Sequence, residues 1–219
     1  MSAAAREVTA AQRAHTHIRA AIMRGDYTPG TMLSENELAA ALSMSRTPVR
    51  AALTRLQDEG WVAIYAQRGA LVRELTADEV RESAEARHAL ESAGVLRAGE
   101  TQRAQLAARL TDNLQRQEAA LEGGDIHEFA ALAMLFHRAF VELAENSTML
   151  AFYDRLQDRQ YLSTLRSAGR IAGDPHQLMT EHRALLDQAT RGDWAAFAGT
   201  LDDHQKRSHG LAAAGGSVA

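Results

Sequence analysis

The sequence predicts a mainly α-helical protein, in which an N-terminal winged helix-turn-helix precedes an antiparallel bundle of six or seven helices. Three observations indicate this fold. The 219 residues contain only three prolines, abundant alanine and 5% aromatic residues, which is typical of helical proteins. Residues 33–72 follow the order helix, tight turn, helix and two short β-prone runs. Beyond residue 76, each break in the hydrophobic periodicity has the composition of a helix junction.

Capping residues mark the two helices of the helix-turn-helix. Ser34 and Glu37 have the spacing of a capping box, which predicts the start of the first helix. Ser45 can cap the second helix, and Pro48 in its first turn occupies a position where no intrahelical N–H is needed. Gly60 is a favoured residue just past a helix end. An earlier helix-forming segment completes a set of three helices.

A predicted β-hairpin forms the wing of this domain. Residues 61–65 and 70–72 are β-prone, and the tip between them contains Arg68 and Gly69. We therefore predict a winged helix-turn-helix over residues 11–75, preceded by a flexible tail at residues 1–10. Domains of this kind bind double-stranded DNA.

Arg46 and Arg50 are the strongest candidates for base recognition. They lie four residues apart at the start of a helix, so they project from the same side. The first turn of a recognition helix enters the major groove, where an arginine can donate to guanine O6 and N7 together. The alternative is a solvated charged face in which the arginines pair with Glu35 and Glu37. The turn, the glycine stop and the wing together favour DNA contact.

Four further residues suit the DNA backbone and the minor groove. Ser45 and Thr47 offer hydroxyl donors beside the free N–H groups of a helix start, where a phosphate can bind. Gly69 would let the backbone approach the minor groove, and Arg68 would meet the negative potential there.

Charge is divided unevenly along the chain. The net charge of −4 separates into +2 for residues 1–75 and −6 for residues 76–219, so only the first part suits phosphate. Cysteine is absent, which excludes disulfides and thiolate chemistry. No apolar run could span a bilayer, and the N-terminus has no apolar core of a signal peptide. We expect a cytoplasmic protein with no membrane partner.

The rest of the chain is predicted to form a helical domain over residues 76–211, followed by a disordered tail at residues 212–219. Its helices are separated by short polar or glycine-containing junctions. Short connections favour an antiparallel bundle. The predicted helices cover about residues 78–98, 102–122, 126–145, 148–170, 175–189 and 193–211.

Three histidines lie at positions of this bundle that should be buried. His137, His182 and His204 each follow apolar residues at helical spacing, on three different helices. A single histidine on an apolar face is usually a hydrogen-bonded core residue. Three of them on facing helices favour a metal or ligand site, because bundle cores build metal sites in this way.

Arg87 lies on the inward stripe of the first predicted helix of the bundle, with Val80, Ala84, Leu90 and Gly94. A buried guanidinium needs an anion, and a carboxylate is its best partner. That carboxylate would belong either to a ligand or to Glu91, one turn later. Both interpretations stay open at this point, because a buried charge must be paired in either case.

Residues 11–75 resemble the N-terminal domain of GntR-family bacterial transcription regulators. The resemblance covers the whole domain and is carried by residues 18–22, Gly25, Pro29-Gly30, Leu33, 37–39, 45–53, Arg55-Leu56, Glu59-Gly60 and 68–72. It implies DNA contacts at the following residues: Asn36, Ser45, Arg46, Thr47, Arg50, Arg68 and Gly69.

The helical domain resembles the effector domain of the FadR subgroup of that family, known as an FCD-type domain. The match is carried by residues 87–91, 136–139, 181–186 and His204. It implies a homodimer and a small carboxylate or acyl effector, often held beside a divalent metal. The subgroup often has a metal-binding Asp four residues before the histidine that corresponds to His137, where this chain has Ala133. We therefore expect a weakened Zn²⁺- or Ni²⁺-type site at His137, His182 and His204, with Arg87 beside the effector; a metal-free pocket is the alternative.

These observations predict a sequence-specific transcriptional regulator, expected to repress, whose affinity for an inverted-repeat operator depends on a carboxylate effector. Architectural DNA binding without an effector or metal is the first alternative. A metal-dependent enzyme is a weaker one, because the sequence has no His-Glu-x-x-His spacing, Cys-His pair or Gly-rich phosphate loop. No catalytic residue is assigned.

Overall fold

The computed structural model describes residues 8–211 apart from the side chain of Asp158, and the chain divides into two compact units between Glu74 and Leu75. The predicted tail at residues 212–219 and the first seven residues of the predicted tail at 1–10 lie outside the described residues. Of the residues that the sequence placed in that tail, Ala10 is instead the first residue of the first helix and Thr9 is its N-cap. Thr9 caps the helix in a capping box with Gln12.

The N-terminal unit is a winged helix-turn-helix, as predicted. Its elements are α1 (Ala10–Arg24), β1 (Met32–Leu33), α2 (Glu35–Ala41), α3 (Arg46–Asp58), β2 (Val62–Tyr65) and β3 (Gly69–Val72). The antiparallel sheet has the order β1-β3-β2. The short strand β1 was not predicted, because two residues carry no readable alternation. Apolar side chains of the three helices and the sheet form the core.

Glycines fix two features of this unit. Gly60 adopts a left-handed conformation (φ 82°) just after α3, which confirms the predicted helix end. Gly69 (φ 114°) lies within β3, not at the tip of the wing as predicted. A Cβ atom on Gly69 would lie 2.3 Å from the carbonyl oxygen of Leu33 in β1. Close approach of two strands therefore explains this glycine, while Arg68 is exposed in the turn.

The C-terminal unit is an antiparallel helical bundle, also as predicted. Within residues 75–211 its helices are α4 (Ala77–Arg97), α5 (Glu100–Glu122), α6 (Ile126–Glu142), α7 (Ser147–Arg166), α8 (Ala168–Gly173), α9 (Pro175–Arg191) and α10 (Trp194–His209). The helix predicted to run to residue 170 ends at Arg166 instead, and a short helix follows Ser167. No helix within residues 8–211 combines the length and apolar character needed to cross a membrane.

Close packing of α4 on α6 sets the geometry of the bundle core. A Cβ atom on Gly94 would lie 2.0 Å from the carbonyl oxygen of Phe140, so only glycine permits this approach. The inward stripe of α4 is Ala84, Arg87, Glu91 and Gly94. Leu90, which the sequence placed on that stripe, is only half-buried, and the fully buried residue is Glu91.

Candidate functional site

The start of α3 presents the predicted DNA-contacting side chains to solvent. Ser45, Arg46, Thr47 and Arg50 are all exposed, and Asn36 is exposed at the start of α2. Ser45 occupies the N-cap position, but its side chain makes no capping hydrogen bond, unlike the prediction. The free N–H groups of this first turn are thus available to an external acceptor.

A single carboxylate joins the two arginines of this surface. Glu35 Oε1 accepts a hydrogen bond from Arg50 Nε (3.0 Å), and Glu35 Oε2 accepts from Arg50 Nη2 (2.8 Å) and Arg46 Nη2 (3.1 Å). These hydrogen bonds, with that from Arg50 foremost, lower the pKa of Glu35 to about 2. The guanidinium groups nevertheless remain largely exposed. The two sequence interpretations are therefore compatible, with Glu35 as the partner.

The three predicted histidines meet in the core of the bundle. His137 on α6, His182 on α9 and His204 on α10 are each at most 3% exposed. Their ring centroids lie 4.8–5.2 Å apart. Three different helices thus deliver one imidazole each to a common point, as the apolar spacing predicted.

One nitrogen of each imidazole is held by a buried side-chain oxygen. The three Nδ1 hydrogen bonds are His137 to Glu91 (2.8 Å), His182 to Gln117 (2.7 Å) and His204 to Glu181 (2.9 Å). A neutral imidazole that donates from Nδ1 carries a lone pair on Nε2. This arrangement, with a second group orienting each histidine, is typical of metal-binding histidines.

A chain of amides fixes the orientation of Gln117. Asn113 Nδ2 donates to the carbonyl of Leu132 (3.2 Å), and Gln117 Nε2 donates to Asn113 Oδ1 (2.6 Å). The oxygen of Gln117 is therefore the atom that faces His182, so His182 Nδ1 must be the donor. His182 Nε2 is buried and has no hydrogen-bond partner among residues 8–211. An unpartnered lone pair of this kind requires a ligand, a proton donor or a metal.

Burial keeps the three imidazoles neutral. It lowers the pKa of His137 and of His182 well below the usual histidine value, and the positive charge of Arg87 adds to the effect on both. Burial also lowers the pKa of His204, although the hydrogen bond to Glu181 opposes this. Neutral imidazole is the form that coordinates a metal ion.

Arg87 forms the ion pair with Glu91 that the sequence allowed, while its contact with a ligand stays a prediction. Its Nε donates to Glu91 Oε1 (2.6 Å) in a pair that excludes solvent almost completely. Burial raises the pKa of Glu91 to about 7, against the attraction of Arg87. Arg87 Nη2 remains buried without a partner among the described residues. It lines the same pocket as the three histidines, and is therefore placed to receive an anion.

This pocket also contains residues that the sequence did not single out. Around Arg87, the histidines and Ala133 it is lined by Phe129, Met134, Thr164, Ile171, Leu178, Ser208 and His209. His209 is thus a fourth histidine of the pocket, beside the three that the sequence predicted. His15 is buried against Glu59 in the N-terminal unit.

Glu91, Gln117 and Glu181 were missed as orienting residues. Glu91 had a readable signal, because the 3–4–3 spacing of positions 84, 87, 91 and 94 is a helix stripe. Glu181 is adjacent to His182 in the sequence, but it orients the more distant His204. Nothing in the sequence indicates Gln117, because its partner is 65 residues away.

The donor set fits a metal ion with three protein ligands. One ligand nitrogen from each histidine lies within 4.8 Å of the others. Three imidazoles and an open position form a recognised Zn²⁺ arrangement. Ala133 lines the pocket one helical turn before His137, and the described residues that line the pocket include no carboxylate.

Comparisons with known proteins agree with both units. Residues 10–72 match the bacterial regulatory proteins of the gntR family, and residues 82–207 match the FCD domain. The Escherichia coli K12 HTH-type transcriptional repressor RspR is 31% identical over 193 residues, covering 88% of this chain and 84% of RspR. The Nta operon transcriptional regulator of Aminobacter aminovorans is 36% identical over 177 residues, covering 78% and 80%. The E. coli McbR/YncC structure has the same fold, with a TM-score of 0.76 at 22% identity, covering 94% and 97%.

Proposed function

Because the chain belongs to the gntR family of bacterial regulatory proteins and carries an FCD domain, we propose that its histidine cluster senses a small carboxylate beside a divalent metal. The protein is a DNA-binding transcriptional regulator with an effector-binding domain of the FadR type. Its relatives include a transcriptional repressor, and we expect repression here. The observation that carries the sensing proposal is the convergence of three neutral imidazoles whose other nitrogens are anchored.

The start of α3 is the proposed base-reading element. Arg46 and Arg50 are exposed on one face, and the uncapped first turn offers N–H groups to a phosphate. Asn36, Ser45 and Thr47 are proposed to contact the bases or backbone beside them. Arg68, exposed in the turn of the wing just before Gly69, is proposed to lie at the minor groove.

His137, His182 and His204 are the proposed ligands of a Zn²⁺- or Ni²⁺-type ion. When bound, the ion supplies a positive charge at the floor of the pocket and an open coordination position. Since Ala133 contributes no carboxylate, the loaded pocket would keep more positive charge than one with a fourth, acidic ligand. Arg87 Nη2 adds a second cationic contact, so a carboxylate is the ligand that best fits the pocket.

We further propose that the protein acts as a homodimer on an inverted repeat. One recognition helix reads only a few base pairs, and two-fold symmetric dimers place two of them on half-sites. A strictly monomeric protein at micromolar concentration, on and off DNA in analytical ultracentrifugation, would contradict this proposal.

Operator affinity measured against small carboxylates tests the proposed function. The purified protein would be titrated onto a labelled operator fragment with Zn²⁺ or Ni²⁺, with and without acetate, citrate or longer carboxylates. The regulator proposed here changes its affinity for DNA while the carboxylate is recovered intact. An architectural protein would show no change, and an enzyme would consume the carboxylate.

A further inference from the structure

A second, smaller chamber adjoins the histidine pocket in the C-terminal unit. The same two helices line both spaces on successive turns. On α4, Arg87 lines the histidine pocket and Ser83 lines the second chamber. On α7, Thr164 lines the histidine pocket and Gln160 lines the second chamber. One helical turn advances about 5.4 Å, so the chamber continues from the anion-binding end of the pocket.

The second chamber contains buried polar groups that lack partners. Gln160 is 3% exposed, and neither its Oε1 nor its Nε2 has a hydrogen-bond partner among residues 8–211. Ser83 Oγ is likewise buried and unpartnered. When an amide is buried without partners, it loses its hydrogen bonds with water. Natural proteins rarely leave this loss of free energy uncompensated. These groups therefore indicate a polar occupant.

His209 connects the two spaces. It is the residue common to both linings, and its Nδ1 lies 2.8 Å from Ser163 Oγ, which lines the second chamber. The remaining lining residues are Leu75, Val80, Ala84 and Arg159. The two spaces thus meet beside a polar side chain, which a ligand that extends from one into the other can contact.

We propose that the second chamber binds the hydroxylated far end of the effector. The effector is then a carboxylate that carries a hydroxyl group about four bonds from its carboxyl carbon, the span of one helical turn. A hydroxyl group both donates and accepts, and so matches the free donor and acceptor of Gln160. A second carboxylate would only accept and would face Gln160 Oε1. This inference rests on the proposed function, because it needs the first carboxylate near Arg87.

Four probes test the proposal by isothermal titration calorimetry on the full-length, Zn²⁺-equilibrated protein. Acetate tests the carboxylate anchor alone. Pentanoate, 5-hydroxypentanoate and glutarate share one chain length and differ only at the far end. We expect 5-hydroxypentanoate to bind about tenfold more tightly than pentanoate, as one or two net hydrogen bonds would give. Glutarate should bind more weakly than the hydroxy acid.

Three variants separate this site from general effects. Gln160→Leu keeps the side-chain size but removes the amide, and should abolish the preference for the hydroxy acid. Ser83→Ala should reduce that preference. Gln115→Leu, on the exposed face of α5, should retain it. Circular dichroism would establish that each variant is folded.

Each outcome has a distinct meaning. Equal binding of pentanoate and 5-hydroxypentanoate, or a preference that survives Gln160→Leu, would overturn the proposal and leave ordered water as the occupant. Tighter binding of glutarate would overturn it in favour of a dicarboxylate, with Arg159 as its partner. In all these cases acetate binding would preserve the proposed function. Failure of all four probes to bind would contradict the proposed function itself, and the chamber assignment with it.

Discussion

Two groups of arginine and glutamate in this protein have the same chemistry and opposite surroundings. Glu35 holds Arg46 and Arg50 at the exposed start of α3. Glu91 holds Arg87 in the core of the helical unit, where the two side chains are 0% and 2% exposed. Solvent weakens the first group, whereas burial makes the second group costly to break.

The comparison shows that burial decides whether an arginine can exchange its partner or can only bind an additional one. An exposed arginine can exchange its carboxylate partner for DNA at little cost, because water already screens the pair. A buried arginine cannot leave its partner, and can only add an anion through a free N–H. Arg87 has that free N–H at Nη2. The surface group is therefore suited to exchanging partners, and the core group to accepting an additional one.

Removal of the buried carboxylate is the change with the largest expected effect. Glu91→Ala should lower the free energy of unfolding by about 3–5 kcal/mol, because Arg87 would keep a buried charge without a partner. Urea denaturation in the presence of a chelator measures this without a contribution from bound metal. Glu91→Gln keeps the volume of the side chain and one hydrogen-bond acceptor, so it should lower the free energy of unfolding less than Glu91→Ala does.

The matched surface change is Glu35→Ala. It should leave the unfolding curve of the protein nearly unchanged, since both arginines are already solvated. Equal losses of stability in the two variants would break the comparison and show that burial does not distinguish the two groups.

Base recognition by the surface arginines gives an intermediate effect. Arg46→Ala should weaken operator binding by about 1–3 kcal/mol and relax the preference at one base position, because a bidentate contact with guanine would be lost. Fluorescence anisotropy with operator and random duplexes measures both quantities. Equal weakening on the two duplexes would assign Arg46 to the phosphate backbone instead.

The smallest expected effect concerns the carboxylate between the arginines. Glu35→Gln removes one negative charge, so binding to random DNA should strengthen a few-fold and become more dependent on salt. If Glu35 positions the arginines, discrimination between operator and random DNA should fall in the same variant. Unchanged discrimination would limit Glu35 to a purely electrostatic role. Glu37→Gln, an exposed residue of the same helix, is the control.

Local signals explain what could be predicted from the sequence. Ser34, Pro48 and Gly60 determine helix ends through contacts within a few residues, so the helix-turn-helix could be derived position by position. The three core histidines were predictable because apolar residues at helical spacing define a buried face. Each of these inferences needs only the geometry of one helix.

The features that could not be predicted from the sequence depend on contacts between segments that are distant in the chain. Gly69 was assigned to the wing tip, but its close approach to β1 involves a strand 36 residues earlier in the chain. The His182–Gln117 hydrogen bond and the position of His209 follow from how the helices pack. On α4, an apolar preference selected Leu90, while the core takes the charged Glu91 because Arg87 and His137 satisfy it.

Metal content of the histidine cluster tests the central claim most directly. Protein would be equilibrated with Zn²⁺, freed of unbound metal and measured by plasma mass spectrometry. We predict about one ion per chain for the wild type and none for His182→Ala. His176→Ala, whose side chain is exposed on the same helix, should retain the ion. Ala133→Asp should bind the ion at least about tenfold more tightly than the wild type. Absence of metal from both the wild type and Ala133→Asp, with an unchanged effector response in His182→Ala, would contradict the claim and leave the three histidines as core packing.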